Sequence, residues 1–190
     1  MPAPDFSLIG KVASQLTRAP AYAAAGGARG SLLSIAAASY GFKSDNEDLT
    51  QPTGFDPEAA RLFEAVVEGA FLVANADGEF DDTELSAFQH VVVTACSGVV
   101  AERQVSALLA DLHDQLEEDG MAKRIEMVAR TITREDHARE VLRVSSLLAY
   151  VSGGVSAVER EILDKLAAQF KLSGPAVDQA IAEAAHALAE

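Results

Sequence analysis

Carboxylates are crowded into one short stretch near the middle of the chain. Within eight consecutive positions the sequence places five acids and no basic residue: Asp77, Glu79, Asp81, Asp82 and Glu84. Carboxylates this close repel one another unless a cation or water screens them. Carboxylate oxygens suit Ca²⁺ or Mg²⁺ rather than zinc. One interpretation of this stretch is therefore a site for a divalent cation.

The same stretch also fits a purely structural role. Asp81 with Glu84, and Ser156 with Glu159, have the spacing of a capping box. In that motif the first side chain and the carboxylate three residues later each accept a hydrogen bond from a free backbone N–H at the start of a helix. The motif leaves three acids unexplained, namely Asp77, Glu79 and Asp82. Both interpretations therefore stay open.

The spacing allows a comparison with the EF-hand loop, in which a glycine and a closing glutamate have fixed positions. If Gly78 takes the place of that glycine, Glu84 falls on the closing position. The first ligand position is then Val73, where the EF-hand requires aspartate. The sequence therefore predicts no EF-hand pair, and a cation site here would be weak and differently built.

The acidic stretch belongs to an internal repeat. Residues 74–84 align without gaps on residues 149–159, which lie 75 positions further along the chain. Each copy presents a buried helix, a glycine turn, a helix start with a carboxylate, and a second buried helix. The repeat predicts two helical hairpins related by a pseudo-twofold axis.

The repeated motif resembles the TerB-like domain of tellurite-resistance proteins. The resemblance rests on Ala76-Asp77-Gly78 with Glu84, on the second copy at Gly153 and Glu159, and on the closing segment 166–173. It covers about residues 56–190. Related modules stand at the N-terminus of some membrane-anchored DnaJ-type co-chaperones. The family is an all-helical bundle of about seven helices, associated with tellurite and general metal stress.

The resemblance implies a role for particular acids. A cation site would fall on Asp77 and Glu84, with Asp81 and Asp82 alongside and Glu159 from the second copy. Ser152 departs from the family pattern, since the second aspartate is missing there. We therefore expect a non-enzymatic binding module of the metal-stress type that engages a protein partner and holds Ca²⁺ or Mg²⁺ at residues 77–84. The alternative is an interaction scaffold of the co-chaperone type, in which these acids only cap helices.

Helices must position both copies of the motif. Apolar residues recur at helical spacing from Asp56 to Glu190, and no stretch alternates with the period of a useful strand. Asp56 followed by Pro57 predicts one helix start, and Thr133 predicts a later one. We expect an all-α fold, a compact bundle of about seven helices over residues 56–190.

The first 55 residues differ in composition from the rest. Asp5 to Arg18 has the pattern of a short amphipathic helix, and Ser31 to Tyr40 that of a second, with an Ala/Gly-rich stretch between them. Residues 43–54 are polar and contain Pro52, as is typical of a linker. We therefore predict an N-terminal extension and linker over residues 1–55, and limited proteolysis that leaves a folded core.

Charge and motif content limit the function classes. The chain has 15 Lys and Arg against 29 Asp and Glu, so its formal net charge of -14 repels nucleic acid. Residues 22–42 contain few large aliphatic side chains, so we do not expect membrane insertion. The single cysteine, Cys96, fits a core position and a reducing compartment, and we expect a cytoplasmic location.

No motif of a known catalytic type stands out in the sequence. The four histidines lack zinc-site spacing, and there is no nucleophile elbow, phosphate loop or dinucleotide fingerprint. We therefore expect that the protein is not an enzyme. A homodimer stays open.

Overall fold

A computed structural model describes residues 6–25, 27, 29–42, 54–78, 80–172 and 174–189. Within these ranges the chain forms helices and no strand, which confirms the all-α prediction. The α-helices and one 3₁₀ turn follow in chain order: α1 Phe6–Thr17, α2 Ala21–Ala25, α3 Leu32–Tyr40, α4 Pro57–Ala74, α5 Asp82–Ala95, α6 Glu102–Asp119, α7 Met121–Thr131, α8 Glu135–Ala149, the turn Tyr150–Ser152, α9 Ala157–Gln169 and α10 Ala176–Ala189.

Side-chain caps set several helix starts. Asp56 Oδ1 accepts from the N–H of Glu58 at 2.9 Å and from that of Ala59 at 3.4 Å, with Pro57 at the first helical position of α4. Ser31 caps α3 by accepting from the N–H of Ser34 at 3.1 Å. Each side chain thus accepts from N–H groups that have no partner within the helix. The start of α4 predicted from the sequence is confirmed.

The start of α8 differs from the sequence prediction. Thr133 does not cap it; the helix begins at Glu135, after Arg134, and no side chain caps it. The Arg134 guanidinium instead forms an ion pair with Asp136, at 2.7 Å between Nη2 and Oδ2. The carboxylate of Asp136 is therefore engaged chiefly by the Arg134 side chain, with a further hydrogen bond from the backbone of His137.

Two helices form the centre of the bundle. Helix α4 is buried from Ala65 to Val73, and α8 is buried from Glu140 to Ala149. The two pack closely at Gly69, where an added Cβ would lie 2.6 Å from Val141 Cγ1. Helices α1, α3, α6, α7, α9 and α10 each contact one or both of them. The two copies of the sequence repeat begin at the last residues of this pair, Ala74 of α4 and Ala149 of α8.

The N-terminal helices share this core. Ile9, Val12 and Leu16 of α1 are buried, and α1 packs against α5, α8 and α10. Helix α3 lies on α4, where the rings of Tyr40 and Phe63 stack with centroids 4.5 Å apart. The boundary that composition places at residue 55 therefore does not divide the hydrophobic core.

The segment 22–42 is apolar and carries Arg29 as its one charged residue. The helices that its described residues contribute to are short: α2 has five residues and α3 has nine. Nowhere in the described ranges is a helix both long and apolar enough to cross a bilayer.

Candidate functional site

Aromatic packing holds the first acidic loop in place. Asn75 ends α4 with its side-chain amide donating to the Phe71 carbonyl at 2.9 Å, and Gly78 then turns the chain with φ of 79°. The ring of Phe80 meets those of Phe71 and Phe88 edge-on, with centroids 5.8 and 5.9 Å away. These contacts fix the loop immediately before α5 begins.

A complete capping box opens α5. Asp81 Oδ1 accepts from the N–H of Thr83 at 2.8 Å and from that of Glu84 at 2.9 Å. Glu84 Oε2 accepts in return from the N–H of Asp81 at 3.2 Å. The capping interpretation of these two acids is confirmed, since each accepts from backbone N–H groups at the helix start.

The second copy of the motif forms the same box at the start of α9. Glu159 Oε2 accepts from the N–H of Ser156 at 2.7 Å, and Ser156 Oγ accepts from the N–H of Glu159 at 3.3 Å. Glu159 is only 8% exposed. Gly153, with φ of 114°, ends the preceding 3₁₀ turn in the left-handed conformation, as the sequence predicted.

The remaining predicted ligands lie at the surface. Asp77 and Asp82 are exposed, on either side of the turn. Glu79 and the acidic run Asp45 to Asp48 lie outside the described residues. Within the described ranges, no three His, Cys, Asp or Glu side chains are placed together to hold a metal ion. A cation site made of Asp77, Asp81, Asp82, Glu84 and Glu159 therefore stays a prediction.

Sequence reasoning missed a buried ionic network on α8. Glu140 and Arg143 are 2% and 4% exposed and pair at 3.2 Å between Oε1 and Nη1. Arg143 Nη2 donates to the Gln15 carbonyl of α1 at 2.7 Å, and Nε lies 3.3 Å from Glu183 Oε1 of α10. The Tyr22 hydroxyl donates to Glu140 Oε2 at 3.2 Å. The network therefore joins α1, α2 and α10 to the central helix.

Burial shifts the protonation equilibria of this network. Desolvation raises the pKa of Glu140 above its ordinary value, although the Arg143 charge and the Tyr22 hydrogen bond oppose the shift. Desolvation, with the Glu140 charge next, raises the pKa of Tyr22. Tyr22 therefore stays a proton donor to Glu140 across the physiological pH range. The only sequence signal was an acid and a base three positions apart on a buried helix.

A second buried ion pair lines a cleft of about 210 Å³ between α4, α6 and α7. Arg124 Nε lies 2.7 Å from Glu68 Oε1, and Arg124 Nη1 lies 3.0 Å from Asp119 Oδ2. Burial raises the pKa of Glu68, against the hydrogen bond and charge of Arg124. Because Arg124 already satisfies both acids, we assign this cluster to the packing of α7 against α4.

Exposed apolar side chains lie on and beside helix α3. Helix α3 contains no charged residue. Its outer side presents Ile35, 57% exposed, and is continued by Phe42 at 55%, with Val99 at 47% and Phe55 at 36% beside it. We call these four residues the apolar face.

Comparison with known proteins assigns no family to the chain. No family model, no curated protein and no solved structure matches it. The capping boxes, the buried ion pairs and the apolar face are therefore the observations from which a function is argued.

Proposed function

We propose that this chain is a non-enzymatic protein-interaction module, built on a TerB-like helical bundle and used as a scaffold of the co-chaperone type. The observation that supports the proposal is the use of Asp81, Glu84 and Glu159 in the two capping boxes. Three of the five acids that would hold a cation are engaged with the backbone instead. A protein partner then binds elsewhere on the surface.

The hydrogen-bond geometry disfavours a cation at these three acids. Asp81 Oδ1 accepts from two N–H groups of α5, and one oxygen each of Glu84 and Glu159 accepts from another N–H. A cation at those oxygens would displace the N–H donors. It would also lie against the positive end of the helix dipole. Capping and cation binding are therefore competing uses of the same atoms.

Calorimetric titration of Ca²⁺ and Mg²⁺ into the full chain, with thermal melts alongside, tests the proposal. We expect no saturable heat and no shift of the melting temperature at millimolar cation. A saturable isotherm together with a cation-dependent rise in the melting temperature would overturn the scaffold proposal, because ligand that binds only the folded state must stabilise it.

A cation-holding module of the tellurite-resistance type is the second candidate. The observation in its favour is that Asp77 and Asp82 are exposed beside the first capping box and cap neither helix. Such a site would bind weakly, with a dissociation constant on the order of 10⁻⁴–10⁻³ M. Asp77→Asn should then reduce the cation heat, while Asp114→Asn on the exposed side of α6 should leave it unchanged. Equal heats for both variants would exclude the loop as the site.

We also propose that the two halves of the bundle arose as a duplicated helical hairpin. Helices α4 and α8 pack against each other, and each leads through a positive-φ glycine into a helix opened by a capping box. In this proposal helices α4 to α10 form the TerB-like bundle. The N-terminal helices are an addition that fills the groove beside α4 and α5.

A further inference from the structure

Helix α3 carries no charged side chain on any side, which is unusual for a helix at a protein surface. Its inner side packs on α4 and carries five buried residues: Leu33, Ala36, Ala37, Ser39 and Tyr40. Its outer side carries Ile35 and exposed Ala38, and no charged residue interrupts either side. A helix that is hydrophobic all round is normally covered on both sides. One side of α3 lacks such a cover among the described residues.

Three chain segments bring the apolar face together. At Gly41 an added Cβ would lie 2.1 Å from the Val99 carbonyl oxygen, so only glycine lets the end of α3 lie against Val99. Ser39 Oγ donates to the Asp56 carbonyl at 3.1 Å and accepts from the Asp56 N–H at 2.6 Å, which holds the segment with Phe55 beside α3. The face is thus fixed in place before any partner binds, which lowers the entropic cost of binding.

The apolar face concentrates the exposed large hydrophobic side chains. Within the described part of the chain six such residues are exposed, and four of them are the members of this face. The other two are Tyr22 of α2 and Val158 of α9. Single exposed hydrophobic residues are ordinary, but adjoining ones mark interaction surfaces.

We propose that the apolar face binds an amphipathic basic helix of a partner protein, an inference that rests on the proposed scaffold function and names its partner. Ile35 and Phe42 are two helical turns apart, so they form a row about 10 Å long. An amphipathic partner helix carries apolar side chains three or four and then seven positions apart on one side, and this spacing matches such a row.

The net charge of the chain favours one kind of partner for the apolar face over others. The net charge of -14 repels a second copy of this chain and an anionic membrane alike, whereas it attracts a basic partner. The exposed acids Asp56, Glu58 and Glu102 lie at the helix starts that flank Phe55 and Val99. Two arginines accompany them: Arg103 directly follows Glu102, and Arg61 lies about one turn into α4. The apolar row therefore supplies the contact, and the overall acidity of the chain supplies the selection for a basic helix.

Fluorescence anisotropy with two labelled peptides tests the proposal. The probes are an 18-residue Leu/Lys helix and a Leu/Glu helix with the same apolar pattern, added to the full-length protein. We expect the wild type to bind the Leu/Lys peptide, and Phe42→Ser and Ile35→Ser each to weaken binding about tenfold or more. Val158→Ser, the matched control at an exposed valine of α9, should bind like the wild type.

Each contrary result has a distinct meaning. Equal binding by Phe42→Ser and wild type, no binding by wild type, or equal affinity for the Leu/Glu peptide would overturn the proposal. A concentration-dependent dimer that Phe42→Ser dissociates would show that a second copy covers the face instead. If the protein binds phosphatidylserine vesicles and Phe42→Ser abolishes that binding, a membrane surface covers the face instead. The cation titration is independent of these measurements, so failure of the docking site and failure of the scaffold proposal are distinguishable.

Discussion

At the scale of single residues, the role of a carboxylate in this protein depends on the donor nearest to it. Glu159 is held by the N–H of Ser156, whereas Glu140 is held by Arg143 and the Tyr22 hydroxyl. Both side chains are buried and acidic, yet the first closes a helix start and the second connects distant helices. The two roles lead to different responses to mutation and to pH.

Glu159→Ala is expected to lower the free energy of unfolding by about 1 kcal/mol, because it removes one half of a capping box and leaves the Ser156 N–H without that acceptor. Glu161→Ala is the matched control, since Glu161 is exposed on the same helix and lies outside the capping box. Urea unfolding of both variants is the measurement. Equal stabilities would show that the box contributes nothing at this helix.

The pKa of Glu140 gives a pH prediction. Burial raises it in the folded state, so the folded protein binds the proton more tightly than the unfolded chain does. The contribution of Glu140 to stability is therefore fully present below the ordinary glutamate pKa. It is lost as the pH rises through the raised value.

Unfolding of the wild type and of Glu140→Gln, measured between pH 7 and pH 4.5, tests this sign. The wild type should gain stability relative to Glu140→Gln as the pH falls, because glutamine does not titrate. Arg143, Tyr22 and Glu183 are the groups that face Glu140 or its partner, and all three stay unchanged in the variant. A wild type that loses stability relative to the variant on acidification would mean that the Arg143 charge dominates.

At the scale of elements, close approach between helices depends on single glycines. Gly69→Ala in α4 should lower stability by about 1–3 kcal/mol, because the new methyl group would lie 2.6 Å from Val141 of α8. Gly10→Ala in α1 is the control, since no atom lies within 4 Å of its added Cβ. There the better helix propensity of alanine should raise stability by up to about 1 kcal/mol. If both substitutions stabilise the protein in urea unfolding, the α4–α8 contact is looser than described.

Elements whose cause is local could be predicted from the sequence. The α4 start at Asp56 and Pro57 and the two capping boxes depend on residues within one helical turn, and the structure has all three. The buried pair of Glu140 and Arg143 could not be predicted, because its partners on α1 and α10 are far away in the sequence. The spacing of residues along one helix does not show which side chains from distant parts of the sequence will contact them.

The N-terminal helices show the same limit. The stripe of Ile9, Val12 and Leu16 predicted an amphipathic helix, and those residues are buried. A stripe of this kind requires a covering surface but does not identify it. Composition at the 43–54 linker suggested a separate extension, whereas α1 is covered by α5, α8 and α10, all of which come after that linker in the chain.

At the scale of the whole molecule, the segment before residue 55 contributes side chains to the common hydrophobic core. Helices α1 and α3 bury five large apolar side chains against the rest of the chain: Ile9, Val12, Leu16, Leu33 and Tyr40. Each buried side chain of this size contributes about 1.5–3 kcal/mol, and a domain is stable by only about 5–15 kcal/mol. Removal of residues 1–55 should therefore cause loss of cooperative unfolding, and not leave the folded core expected from composition.

A cut and a deletion distinguish the two views of this segment. A protease site placed at residues 46–49 allows the chain to be cut without removal of any helix. If α1 and α3 belong to the core, the two fragments should co-elute in size-exclusion chromatography and melt together, because the buried contacts and the Arg143 hydrogen bond to Gln15 persist. The 56–190 fragment alone should bind a hydrophobic dye and melt without a cooperative transition. If the C-terminal fragment separates after the cut, and the 56–190 fragment alone still unfolds cooperatively, the extension is dispensable for the fold.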